Sequence, residues 1–198
     1  GSEMCIRDST SPAGRIRIPN DSKSRAGGVL YSDYSLGRFF AEAARQPWFE
    51  NTIFLVTADH CASSAGRTEI PLQKYHIPAL ILAPGLIEPG VVDGIVSQID
   101  LMPTLLSLLN MSYDSHFYGR SIFDPAYVNR AFIATYQDLG YLEGDTFTIL
   151  SPVRRFEQYR VVPTEENPHH LETMERKDAM QVDRAIGYYQ TSCKWNKR

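Results

Sequence analysis

The chain has 198 residues, 43% of them hydrophobic, with a formal net charge of −3 and a pI near 6.0. This composition suffices for a packed core and excludes a disordered chain, and the weak negative charge removes any bulk electrostatic reason to bind nucleic acid or an anionic membrane. No apolar run approaches the ~18 residues of a membrane helix, the amino terminus lacks the apolar core of a secretion signal, and three scattered cysteines, Cys5, Cys61 and Cys193, form neither a disulfide framework nor a C-x-x-C pair.

Gly1 to Ser9, G-S-E-M-C-I-R-D-S, has no helical or strand period and reads as a tag scar or adapter-derived stretch; Thr10 to Gly28, rich in Ser, Pro, Gly, Arg and Lys, reads as a loop or linker. Residues 1–28 are therefore expected to lie outside the fold. From Ser32 to Gln46, Leu36, Phe39, Phe40, Ala43 and Ala44 recur at the three-and-four spacing of an amphipathic helix, with Ser32 or Asp33 as cap and Pro47 as limit. A fully apolar strand follows over about Thr52 to Thr57, and helix followed by apolar strand is the pattern of a parallel α/β layer.

That strand runs into Asp59 and His60, within I-F-L-V-T-A-D-H. A carboxylate oxygen and a neutral imidazole nitrogen suit Zn²⁺ or Mn²⁺, and the carboxylate also balances the cation's charge. Two adjacent ligands do not fill a coordination sphere, so an Asp that caps the next helix beside a hydrogen-bonded core His is the other reading of the pair alone.

Farther on, Ala79 to Ala83 form a second short apolar strand between Pro78 and the Pro84-Gly85 turn, with Lys74, Tyr75 and His76 just before it at the same crevice. Asp100 is predicted to open a helix with Leu101, Leu105, Leu108 and Leu109 on one side, Pro103 being tolerated in its first turn. Its role is structural. Beyond Arg130 the texture becomes β-like: Ala131 to Tyr136, Thr146 to Leu150 and Glu157 to Val162, separated by Gly140, Gly144-Asp145 and Ser151-Pro152, predict antiparallel strands with a Tyr-rich face. About Leu171 to Thr191 predicts a helix packed through Met174, Ala179, Val182, Ala185, Ile186 and Tyr189. His169 and His170, in E-E-N-P-H-H-L-E, read as a solvated loop, and His116 as a surface residue before the Gly119 turn.

The order of I-F-L-V-T-A-D-H, T-E-I-P-L-Q-K-Y-H-I-P-A-L-I-L-A-P-G, S-Q-I-D-L-M-P-T-L-L-S-L-L and Y-G-R-S-I-F, from about Tyr31 to about Tyr159, resembles the carboxyl-terminal half of the sulfatase-like catalytic domain of the alkaline phosphatase superfamily. The nearest branch is the lipoteichoic-acid-synthase-like phosphoglycerol transferases. The resemblance implies the carboxyl-terminal part of an α/β/α sandwich over residues 29–130, followed by a small antiparallel β-plus-helix subdomain over 131–198. It implies a divalent cation, Mn²⁺ or Zn²⁺ with Mg²⁺ or Ca²⁺ as further options, held by Asp59 and His60 together with an upstream carboxylate and a Thr nucleophile that no segment here matches. No catalytic nucleophile is then expected in this chain, which alone would be inactive and would need the amino-terminal half of its polypeptide.

By the same resemblance Ser64 lies near a substrate phosphoglycerol group, or is a helix-capping or turn Ser; Lys74 or His76, from their place before the second strand, could meet a phosphate oxygen, Lys74 being otherwise a solvated strand-flanking residue, with Arg67 and Glu69 weaker candidates. True sulfatases make their nucleophile from Cys or Ser in a C/S-x-P-x-R context. Cys61 stands in C-A-S-S-A, without the Pro and Arg, which favours phosphoryl transfer over sulfate ester hydrolysis. The implied donor is an anionic phospholipid and the implied acceptor a glycan or glycolipid, with no nucleic-acid partner. The implied parent is anchored in the membrane, its catalytic domain periplasmic or extracellular. A sulfatase or phosphodiesterase of the same superfamily, and a non-catalytic glycan or lipid-headgroup binding module, are the alternatives.

Overall fold

The computed structural model describes residues 25–61 and 70–195. These fall into two compact units, one of residues 25–54 with 82–88, the other of the remaining described residues.

In the first unit α1 spans Arg25–Ala43. It therefore begins before the predicted Ser32, and neither Ser32 nor Asp33 caps it. Gly27 and Gly28 are poor helix formers, which is why the segment reads as a linker, but both are buried, so packing outweighs propensity. Ala43 is its buried hydrophobic residue, and Phe39, Phe40, Trp48 and Phe49 each set a ring against Phe54. The predicted apolar face is only partly used, since Leu36 and Phe39 stay 39% and 49% exposed, and Val29, ahead of that face, stays 59% exposed. A helical stripe of this kind drives association. The chain is expected to bind a hydrophobic dye and to self-associate as its concentration rises, and Leu36→Lys should weaken both; a monomer that ignores the dye would contradict this.

Two short strands, β1 (Phe54–Thr57) and β2 (Ala79–Leu82), pair in a two-stranded sheet. Both are half-buried to exposed along their length, Leu80 reaching 56%, where the sequence predicts fully buried strands.

The second unit is organised by a five-stranded antiparallel sheet in sequence order: β3 (Arg130–Ala134), β4 (Leu139–Glu143), β5 (Thr146–Ser151), β6 (Arg155–Val161) and β7 (Leu171–Thr173). The antiparallel expectation holds, with two corrections. β4 runs through Gly140, which reads as a separator in sequence. Its missing side chain is filled by the Phe147 ring, 2.8 Å from where a Cβ would stand, as for a strand glycine under close packing. Leu171–Thr173 is a strand paired with β6 rather than the start of the last helix, and α3 spans Ala179–Trp195. Gly144, at φ 59°, turns β4 into β5 through two residues, the left-handed position a tight hairpin needs.

Register sets the two faces of this sheet. Phe132, Tyr141, Thr148 and Gln158 form one row across it. On that side Tyr188 of α3 packs edge-on to Phe132, and Gln158 donates to Thr148 and to the Asp178 carbonyl. Tyr189 of α3 donates to the carbonyls of Ile133 and Gly140, and burial pushes its phenol up to about 12. Ile133, Leu142 and Phe147 belong to the opposite row set and pack with Ile70 and Leu72, alongside Tyr75, Tyr159, Val161 and Leu171. The single turn of 3₁₀ helix Leu72–Tyr75 is thus seated on the sheet's core.

A second 3₁₀ turn, Gln98–Asp100, leads into α2 (Leu101–Leu108). Asp100 does not cap α2 with its side chain as predicted; it completes a capping box with Ser97. Nor do the leucines form the buried side: Pro103 and Thr104 are buried and Leu109 is exposed. Thr104 explains this, since its hydroxyl donates to the Asp100 carbonyl and accepts from the Ile122 amide.

Asp100 is fully buried. It accepts from the amides of Ser97 and Arg120, from the Tyr127 hydroxyl and from both terminal nitrogens of Arg130, the closer at 3.1 Å. Arg130, 2% exposed, also donates to the carbonyls of Val128 and Tyr118 and lies over the rings of Tyr127, Phe132 and Tyr188. Burial first, and the Asp100 carboxylate second, hold the Tyr127 phenol far above its ordinary range. Gly119 closes this region: a Cβ there would stand 1.9 Å from the Ile99 carbonyl oxygen. Gly119→Ala is expected to lower stability by about 1–3 kcal/mol through overpacking, read as a lower urea midpoint; an unchanged midpoint would mean the backbone yields without cost.

Candidate metal and oxyanion site

β1 ends in Thr57, and the backbone of the next two residues is held from two sides. The Ala58 amide donates to the Pro78 carbonyl, and the Gln98 carboxamide donates to the carbonyls of Ala58 and Asp59 at 3.2 and 3.1 Å. Gln98 thus fixes the segment that presents the acid and the imidazole. Sequence reasoning missed it, because S-Q-I-D reads as a helix start, and nothing local shows that a glutamine reaches back by forty residues.

Asp59 and His60 are exposed and adjacent. The His60 amide donates to Asp59 Oδ1 at 2.9 Å. His60 Nδ1 lies 2.7 Å from the Cys61 carbonyl, and since a carbonyl only accepts, Nδ1 carries the proton. A neutral ring then has its lone pair on Nε2, which stands 3.3 Å from Asp59 Oδ2. Two lone-pair atoms so close repel each other unless a proton or a cation lies beside them. The Nδ1–H to carbonyl bond is also the arrangement that orients a metal-bound histidine. The residues therefore fit a divalent cation as two of its ligands, an oxygen and a nitrogen. Among the described residues no group of three or more His, Cys, Asp or Glu could hold a metal ion, so these two side chains by themselves do not fill a coordination sphere.

Beside this pair is a cleft of about 410 Å³ lined by Ala58, His60, Cys61, Gln73, Lys74, His76, Ile77 and Pro78. The structure brings three of the candidates, His60, Lys74 and His76, to one cavity. Lys74 is half-buried and His76 exposed. Cys61 lines the same wall, and burial and then Cys61 raise the Tyr75 phenol. Ser64, Arg67 and Glu69 lie outside the described residues. His116 is exposed, as expected. His169 departs from its solvated-loop reading: its ring packs edge-to-face on His76, with centroids 5.7 Å apart and planes at 88°. Nothing in N-P-H-H signals this, because the contact depends on how the β6–β7 loop meets the segment before β2.

An acid and an imidazole after an apolar strand, beside a cleft lined by Lys74 and His76 in a mixed α/β fold, stand where the resemblance to the alkaline phosphatase superfamily places them. Among solved structures, a protein in that superfamily from Vibrio parahaemolyticus matches with a TM-score of 0.78 at 30% identity, over 92% of this chain and 46% of that one. A family model described as Sulfatase matches residues 7–111, and the chain belongs to the sulfatase family. An arylsulfatase of Clostridium perfringens (strain 13 / Type A) is 30% identical over 107 residues, 50% of this chain and 22% of that protein. The fold is also that of a protein solved with its substrate D-glucosamine-2-N,6-O-disulfate, at a TM-score of 0.60 and 17% identity over 89% of this chain and 41% of that one. The chain spans less than half the length of each of these relatives.

Proposed function

We propose that the chain is the carboxyl-terminal part of a metal-dependent enzyme that transfers or hydrolyses an anionic ester, with phosphoglycerol transfer from an anionic phospholipid to a glycan or glycolipid as its reaction. The observation that carries the reading is the placing of Asp59 and His60 beside the cleft that Lys74 and His76 line. Asp59 and His60 Nε2 would hold the cation, Mn²⁺ or Zn²⁺. When bound, such an ion lowers the pKa of a hydroxyl nucleophile and stabilises charge on ester oxygens. Lys74 offers a point charge and His76 a ring N–H to the remaining oxygens, while Gln98 keeps the Ala58–Asp59 backbone from moving as charge develops. The polypeptide would be membrane-anchored with this part outside the cytoplasm; no helix among the described residues is long and apolar enough to cross a membrane.

The similarity to an arylsulfatase favours a second reading, hydrolysis of sulfate esters by the same metal and oxyanion groups. Turnover separates the two. The longest natural polypeptide carrying this chain, supplied with Mn²⁺ or Zn²⁺, is expected to consume phosphatidylglycerol and to leave aryl sulfate intact. The reverse preference would establish the sulfatase reading, and turnover of neither substrate would favour a binding module.

A further inference from the structure

Two parts of the second unit meet at His76, which lines the cleft and packs against the His169 ring. On one side, Leu72 and Tyr75 are packed into the core of the five-stranded sheet, and this fixes the direction in which Lys74 and His76 leave the 3₁₀ turn. On the other, the β6–β7 loop is closed by its own hydrogen bonds. The Thr164 and His170 amides donate to the Asn167 carbonyl, the Asn167 amide to the Thr164 hydroxyl, and the His169 amide to the Asn167 carboxamide at 2.9 Å, while the Val162 amide donates to the His170 carbonyl. Val161 and Leu171, at the loop's two ends, pack on the same core as Leu72 and Tyr75. His76 and His169 are therefore held together by the fold, and neither arrives on a loose tether.

We propose that His76 and His169 together form a binding site for a tetrahedral oxyanion, sulfate or phosphate, at the rim of the cleft, with His169 a specificity-determining residue contributed by the carboxyl-terminal sheet. With ring centroids 5.7 Å apart, one tetrahedral anion can accept a hydrogen bond from each imidazole. One ring protonated and one neutral still provide a donor each, so the site works without two full charges. Burial, and then the neighbouring His76, lower the His169 pKa below its ordinary 6.5, so the pair alone resists taking up a second proton. A bound anion offsets that repulsion. The other charged and titratable groups of the elements that meet here are His60 and Lys74 on the cleft wall, Tyr75 beside them, and Glu165, Glu166 and His170 on the loop. Lys74 adds attraction for the anion, and the two glutamates weaken it.

This inference takes its substrate class from the anionic-ester reading, but its test is independent of metal and turnover. The chain is dialysed to equilibrium against labelled inorganic phosphate, and separately against sulfate, at about pH 6 with a chelator present, so that the pair can hold one proton and no cation contributes. One anion per chain is expected. His76→Gln and His169→Gln should each weaken binding at least about tenfold, the loss of one charge-assisted hydrogen bond, while His169→Lys restores most of it and His170→Gln changes nothing. Tighter binding of one anion identifies the ester class that the site prefers. Absence of binding by either anion, or a His169→Gln chain that binds as the wild type does, overturns the proposal. Should His169→Gln fail to fold, the wild-type chain decides: binding that persists unchanged at about pH 8.5, where imidazoles are neutral, overturns it too. Mn²⁺ retention, measured without chelator, reports on Asp59 and His60 separately, so this site can fail while the metal reading stands.

Discussion

Arg130→Met should destabilise the second unit by about 3–5 kcal/mol, because it leaves the Asp100 carboxylate buried without its counter-charge. Asp100 is 0% exposed, so no water replaces the guanidinium, and the amides of Ser97 and Arg120 with the Tyr127 hydroxyl are too few to hold the charge alone. Replacing both partners with apolar residues of similar volume, as in Asp100→Leu with Arg130→Met, removes the charge along with its partner. It should therefore cost less than the sum of the two single changes. The Arg130 Nε has no partner, so the guanidinium is already incompletely satisfied and the wild-type pair is not an optimum. Urea unfolding followed by tyrosine fluorescence tests this. An unchanged midpoint in Arg130→Met would show that the pair contributes nothing, and a strictly additive double mutant would show that its two halves act independently.

Asp59→Ala and His60→Ala should each remove a metal ligand from the longest polypeptide carrying this chain, and affinity for Mn²⁺ or Zn²⁺ should fall together with rate. Losing a residue that merely orients a ligand typically costs ~10–100-fold, so losing a ligand should cost at least about that. His170→Ala serves as a control, since that residue is exposed and lies outside the cleft lining. Elemental analysis decides the matter: both variants retaining wild-type metal content would mean that the two side chains hold no metal, however well their geometry suits one. A Gln98→Leu variant would probe the layer behind them, because it frees the carbonyls of Ala58 and Asp59 without touching either ligand.

The parts of this fold that can be read in sequence are those written in local chemistry. The apolar run ending in Asp59 and His60, the hairpin at Gly144 and the packing face of α3 through Val182 and Ala185 each rest on neighbours within a few residues, and all three appear in the structure. Lys74 and His76 were legible as cleft residues because they immediately precede an apolar strand. What was not legible depends on partners far along the chain. Asp100 looks like a helix cap until Arg130 is placed beside it, and His169 looks solvated until the loop that carries it is seated next to His76. Gly140 looks like a break because the Phe147 ring that fills its vacant face is on another strand. α1 starts ahead of its sequence pattern for the opposite reason: its local glycine signal is real, and burial of Gly27 and Gly28 overrides it.

The strand order of the five-stranded sheet, β3-β4-β5-β6-β7, has a kinetic consequence. Every strand pairs with its neighbour in sequence, so each step of assembly closes only a short loop, and such sheets form quickly for β structure. The Arg130–Asp100 link spans 30 residues and reaches outside the sheet, so loop-closure entropy is expected to place it after the hairpins. An interaction absent from the transition state governs the rate of opening and leaves the rate of folding alone. Arg130 should then act as a latch on a structure already assembled: without it the sheet forms about as fast as before, but it comes apart sooner, and a protease would find this part of the chain open more often.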